Sequence, residues 1–132
     1  MAKVLLISRD PAGLTGLATA LAGHPQAEVA WAHDPQEAVA ATRRWRPHLA
    51  VLDDSLGENQ PWALIRDLLA VDAFLNTAVV SGLDPEAFHE AGEGLGVLAQ
   101  LPPAPGPAEA AWLLYHLREV MVSPPASADN AS

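Results

Sequence analysis

Arg46-Pro47-His48-Leu49-Ala50-Val51-Leu52-Asp53 is the stretch on which the reading of this chain turns. Proline closes the segment before it, four aliphatic residues follow without a break, and the run stops at a carboxylate. An uninterrupted apolar run of strand length is what a strand buried on both faces requires, and such strands belong to parallel sheets covered by helices on each side. The acid that ends it then stands where the strand meets solvent.

Similar runs recur on both sides of this strand, at Val4 to Ile7, Glu28 to Ala32, Thr77 to Ser81 and Val97 to Leu101. Helical patterns separate them. Asp10-Pro11 predicts a capped helix start, with Leu14, Leu17, Ala18 and Leu21 spaced as one apolar face and Gly23-His24-Pro25 ending it. Asp34-Pro35-Gln36-Glu37 sets a cap, a proline and a glutamate in capping-box order, and the helix it opens runs to about Trp45. A third helix begins near Pro61 and buries Leu64, Ile65, Leu68 and Leu69. Asp84-Pro85-Glu86 opens a short fourth helix, and the last runs from about Pro107 to Val122 with Leu113, Leu114, Leu117 and Met121 on one face. The alternation predicts βα units around a doubly wound, five-stranded parallel sheet with helices on both faces. One domain over residues 1–122 is expected, followed by a small, polar tail, residues 123–132, expected to be disordered.

Composition excludes several functions. With 132 residues, 50% of them hydrophobic and 17% charged, the chain can bury a core and is not a disordered protein. No stretch resembles a membrane span, and Met1 to Ile7 reads as a buried strand rather than a signal peptide, so a soluble, cytoplasmic protein is expected. The absence of cysteine excludes disulfides, thiolate metal sites and cysteine nucleophiles. A formal charge of -9 argues against a nucleic-acid surface, and the basic run Arg43-Arg44-Trp45-Arg46 reads as a solvated helix end. His24, His33, His48, His89 and His116 show no metal-ligand spacing. In a doubly wound sheet, functional groups collect at the carboxyl ends of the strands. That leaves Ser8-Arg9-Asp10, Asp53-Asp54-Ser55, Ser81-Gly82 and Leu101-Pro102.

These segments together resemble the receiver domain of two-component response regulators, over about residues 3 to 122. Lys3 to Pro11 is similar to the family's opening strand and acidic turn, Arg46 to Asp53 to its phosphoacceptor strand, and Ala78-Val79-Val80-Ser81-Gly82 to its fourth strand. The resemblance implies the flavodoxin-like strand order 2-1-3-4-5, with Asp53 as phosphoacceptor and Ser81 as the switch hydroxyl. It also implies departures. Ser8 and Arg9 stand where the family has the acidic pair that holds magnesium. Leu101 stands where it has lysine, followed by Pro102 where it has a cis proline, and Leu98 replaces the aromatic switch residue.

Magnesium is held by several oxygen ligands, preferably carboxylates, and two are missing here. Asp10, Asp53 and Ser55 are the remaining candidate ligands, so weak magnesium binding at most is expected, and no other cofactor. Asp10 is expected to cap its helix, and neighbouring Asp54 points away from Asp53. Arg9 is expected to pair with Asp53 in place of the metal, with a guanidinium pointing into solvent as the alternative. Asp53 as a plain polar strand end, and Ser81 as a hydroxyl bonded to local backbone, stand as alternatives. The preferred reading is a non-enzymatic, bacterial-type signalling module that acts by binding a protein partner or itself, through the last helix at Trp112 and Tyr115. The alternative is a working phosphoacceptor phosphorylated on Asp53 by a histidine kinase. A small-molecule-binding domain is disfavoured, since no glycine-rich phosphate loop follows the first strand.

Overall fold

The protein is described by a computed structural model covering residues 2–57 and 60–122, the side chains of Met121 and Val122 apart. The expectations for Met121 and for residues 123–132 lie outside the described residues.

Five strands form one parallel sheet: β1 (Ala2–Ile7), β2 (Ala27–Ala32), β3 (Leu49–Asp53), β4 (Asn76–Val80) and β5 (Ala99–Leu101). Their order is β2-β1-β3-β4-β5, as expected, with β2 and β5 at the edges. β5 is three residues long, shorter than the run from Val97 implies. The helices are α1 (Thr15–Ala22), α2 (Pro35–Trp45), α3 (Gln60–Val71), α4 (Pro85–Ala91) and α5 (Pro107–Val122). Among the described residues no helix is long and apolar enough to cross a membrane.

Alternate residues of the central strands feed two cores. Leu5, Ile7, Ala50, Leu52 and Val79 pack with Ala38 and Ala41 of α2 and with Leu64, Ile65 and Leu68 of α3. Val4, Leu6, Leu49, Val51 and Val80 pack with Leu17 and Leu21 of α1 and with Leu113 and Leu117 of α5. Crossovers therefore leave on opposite faces on either side of β1 and β3, which opens a crevice between those two strands at their carboxyl ends.

Local chemistry sets the helix starts. Asp34 and Asp84 each accept a hydrogen bond from the backbone N–H three residues on, Glu37 and Ala87, both at 2.8 Å. The Glu37 carboxylate reaches back to the N–H of His33, one residue before the cap, at 2.7 Å. Asp10 departs from its expected role. No capping bond forms from its side chain, and the chain enters a 3₁₀ turn over Pro11–Leu14 before α1 begins. The Asp10 N–H is held by Ser8 Oγ at 3.0 Å, which tightens the turn at its first step.

At the amino end of the sheet His48 ties three strands together. Its Nδ1 accepts from the Lys3 N–H at 3.0 Å, its N–H donates to the Lys3 carbonyl at 2.8 Å, and its carbonyl accepts from the Asn76 N–H at 3.1 Å. Burial and the nearby Lys3 ammonium push the imidazole below the usual histidine value of 6.5.

Candidate functional site

The pairing of Ile7 with Leu52 carries on by one residue and sets Ser8 beside Asp53 at the crevice. Strand alternation puts Ser8 on the same side as Val4 and Leu6, and Asp53 on the same side as Leu49 and Val51, so both side chains point to one place. Both are buried, Asp53 at 5% exposure and Ser8 at 0%. A buried carboxylate needs donors, and the fold supplies them from two directions. Ser8 Oγ donates to Asp53 Oδ2 at 2.7 Å. Ser55, presented by the short 3₁₀ turn Asp54–Leu56, donates to Oδ1 through its hydroxyl at 2.5 Å and through its N–H at 3.2 Å.

The hydroxyls are themselves held. Ser55 Oγ accepts from the Arg9 N–H at 2.9 Å and the Asp10 N–H at 3.3 Å, and Ser8 Oγ also takes the Asp10 N–H. Each hydroxyl has one proton. Both protons go to the carboxylate, so the 3.1 Å approach of Ser8 Oγ to Ser55 Oγ is a contact between two acceptors bridged by the Asp10 N–H. The result is a relay in which loop amides polarise hydroxyls and hydroxyls neutralise an acid. The turn after β1 passes over it: a Cβ added at Gly13 would lie 3.9 Å from Asp53 Oδ2.

The expected Arg9 to Asp53 ion pair does not form. Among the described residues the ion pair is Arg46 with Asp72, at 4.0 Å, and Arg9 is exposed. Two neutral hydroxyls and an amide already satisfy the carboxylate, so it offers the guanidinium little in return for leaving water. Asp54 is exposed in the 3₁₀ turn that follows β3.

Ser81 is buried just beyond β4, but its Oγ accepts from the Leu83 N–H at 3.1 Å, a local turn. Asp53 pairs with Val80 across the sheet, which leaves Ser81 one residue above it, and no hydrogen bond joins the two among the described residues. Leu101, at the lysine position, is 3% exposed and belongs to the core with Val80 and Leu113. No cis peptide bond occurs among the described residues, Leu101–Pro102 included.

These residues do not suit a magnesium ion. A hard cation needs several oxygen lone pairs converging without protons between them. Here one carboxylate stands alone with hydroxyl protons pointing into it. Among the described residues no three His, Cys, Asp or Glu side chains gather where a metal could sit.

Sequence reasoning named Ser8 only as a missing ligand and missed that it replaces one as a donor. The period of two from Val4 through Leu6 to Ser8 was the available signal. Gln100 was missed outright: its Nε2 donates to the Ser81 carbonyl at 3.2 Å and the Leu83 carbonyl at 2.7 Å, fastening the loop after β4 to β5.

No protein-family model and no curated protein matches the chain. Solved structures do match it. The N-terminal domain of an uncharacterized protein from Wolinella succinogenes is similar at 21% identity, over 93% of this chain and 98% of that one, with a TM-score of 0.74. A CheY-like response regulator receiver domain protein from Methanospirillum hungatei is similar at 18% identity, over 90% and 95%, with a TM-score of 0.76. A two-component response regulator from Clostridium difficile is similar at 15% identity, over 92% and 98%, with a TM-score of 0.78. At these identities the likeness is one of fold, and the fold is that of CheY-like receivers.

Proposed function

We propose that this chain is a receiver-like signalling module of a two-component pathway that works by binding another protein, with its phosphoryl site closed. The observation that carries this reading is the pair of serine hydroxyls donating to both oxygens of Asp53. Phosphoryl transfer to a carboxylate needs a free lone pair on the attacking oxygen and positive charge around the transferring group. Here Oδ1 has both lone-pair sites taken and Oδ2 one of its two, Ser8 and Arg9 stand where receivers have the metal-holding acids, and the position that supplies lysine in receivers is a core leucine.

Incubation with acetyl phosphate and magnesium, followed by intact mass, tests the reading. The mass is expected to stay unchanged, and a magnesium titration to show no saturable binding below millimolar concentration. A phosphoryl adduct on Asp53 that disappears in Asp53→Asn overturns it. That outcome would favour a working phosphoacceptor, the reading to which Asp53 at the end of β3 and buried Ser81 beyond β4 lend support.

A further inference from the structure

The loops at the amino end of the sheet enclose a cleft of about 590 Å³, lined by Arg46, His48, Leu69, Phe74, Leu95 and Val120 among others. It lies at the far end of the strands from Asp53. Leu75 and Leu95 make its floor apolar, the first buried in the core under α3 and the second packed against it. Phe74 is 87% exposed, yet its backbone is pinned: its N–H donates to Asp72 Oδ1 at 3.0 Å, and the Leu75 N–H donates to the Asp72 carbonyl at 3.1 Å. A ring on a fixed backbone loses little entropy when a ligand covers it. Gly94 and Gly96 add bare backbone to the lining, with φ of 84° and 64° and open space where a Cβ would stand.

The polar groups of the cleft are mostly donors. α2 ends on Arg46 in the left-handed region, at φ 55° and ψ 61°, where glycine is the ordinary residue because a Cβ is strained there. Such outliers gather at binding sites, where the side chain is what is kept. The Arg46 side chain is 60% exposed, and its Nη1 donates to the Val71 carbonyl at 3.3 Å and lies 4.0 Å from Asp72 Oδ2, beyond hydrogen-bond reach. Among the described residues its Nε and Nη2 groups have no partner. The His48 Nδ1 accepts from the Lys3 N–H, so the neutral ring carries its proton on Nε2, again with no partner among the described residues. Asp72 is the one carboxylate among the described residues of the lining, and its Oδ1 is already taken by the Phe74 N–H. The Lys3 ammonium, held on the Trp45 carbonyl at 2.9 Å, adds a second cation one residue along the chain from Arg46.

We propose that this cleft binds a small aryl carboxylic acid, its carboxylate meeting the Arg46 guanidinium and the His48 Nε2–H and its ring lying between Phe74 and the apolar floor. Guanidinium and carboxylate match as a fork of donors against a fork of acceptors. An amine would face donors only, and an alcohol would accept a hydrogen bond without answering the charge. The volume is within the range of small-molecule sites, roughly 300–1,000 Å³. Because the cleft is remote from Asp53, this proposal and the closed phosphoryl site stand or fall separately.

Naphthylacetate is the probe, with naphthylethanol and naphthylethylamine as its neutral and cationic counterparts, each titrated into the isotopically labelled full chain and followed by amide shifts. The acid is expected to give saturable shifts centred on residues 46–48, 72–76 and 94–96, with an affinity about tenfold above that of the alcohol, and the amine to give none. Arg46→Gly, which suits the left-handed backbone, is expected to bring the acid down to the affinity of the alcohol. Phe74→Ala is expected to weaken acid and alcohol alike, by about fivefold. Equal binding of acid and alcohol, saturable binding of the amine, shifts centred elsewhere, no saturable shift with the acid, or a preference for the acid that survives Arg46→Gly overturns the proposal. A peptide ending in phenylalanine offers the same carboxylate and a similar ring, and tighter binding of that peptide than of the acid overturns the assignment to a small molecule.

Discussion

The carboxyl end of β1 and β3 and the flank of β5 are opposite solutions to the problem of a polar edge. At the first, Asp53, Ser8 and Ser55 satisfy one another and draw the next loop over them. At the second, carboxylates and aromatic rings are left facing water, with no strand beyond β5 to cover them. In a receiver-like fold the first place is where chemistry is expected. The difference teaches that one sheet can satisfy a buried carboxylate wholly with its own neighbours at one place and leave carboxylates and rings to water at another.

The sharpest way to break this comparison is to remove the acid. Asp53→Ala leaves the buried Ser8 hydroxyl and the half-buried Ser55 hydroxyl without an acceptor and is expected to cost about 2–3 kcal/mol, read by urea unfolding. A cost within about 0.5 kcal/mol of zero, the range of ordinary surface changes, would mean that the relay contributes little and that the closed-pocket contrast is unsound.

Removing one donor is the next step down. Ser8→Ala takes away the Oδ2 partner and an acceptor for the Asp10 N–H, and about 1–2 kcal/mol is expected. Ser8→Asp sharpens the comparison differently. It places a second carboxylate beside Asp53, and magnesium is expected to stabilise this variant against urea while leaving the wild type unmoved. Equal stabilisation of both proteins would show that the wild-type pocket already accepts the ion.

A smaller effect is expected at the other end of the sheet. His48 is held below its usual value, so the unfolded chain takes up a proton more readily than the folded one. Stability from this group is complete above pH 6.5 and is lost as the pH falls through that value toward the depressed one, because a proton on Nδ1 displaces the Lys3 N–H. A replacement such as His48→Gln is expected to flatten that part of the stability profile. An unchanged slope would assign it to other groups. The least change is expected from Trp112→Ala, within about 0.5 kcal/mol of wild type, since its ring is largely outside the core. A loss above about 2 kcal/mol would make Trp112 a packing residue.

The fold was legible because its signals are local and repeated. Aliphatic runs and proline helix starts, three of them Asp-Pro, set the elements within a few residues, and Asp34 and Asp84 cap as their sequence implies. Asp10 has the same dipeptide and does not cap, because its N–H is claimed by a hydroxyl two residues back and the chain tightens to 3₁₀ geometry. The site was legible by place and not by partnership. Position along the chain indicates which strand ends meet, but which of Arg9, Ser8 and Ser55 reaches Asp53 depends on side-chain direction and on a turn that brings residue 55 back. Charge made Arg9 the obvious partner, yet burial favoured the short hydroxyls.

One feature of the sheet gives Asp53 a further reason to be retained. Because β1 and β3 are apolar on both faces, sliding one past the other by a single residue would still bury aliphatic side chains, only in the opposite core. Hydrophobic patterning, which fixes strand alignment where one face is wet, discriminates weakly here. The ends of the strands have to do it. A one-residue slip would carry Ser8 away from Asp53 at one end and Lys3 away from His48 at the other, stranding a buried acid and an imidazole together. The two polar contacts act as alignment pins, and the carboxylate at the end of β3 keeps the strands from pairing out of step.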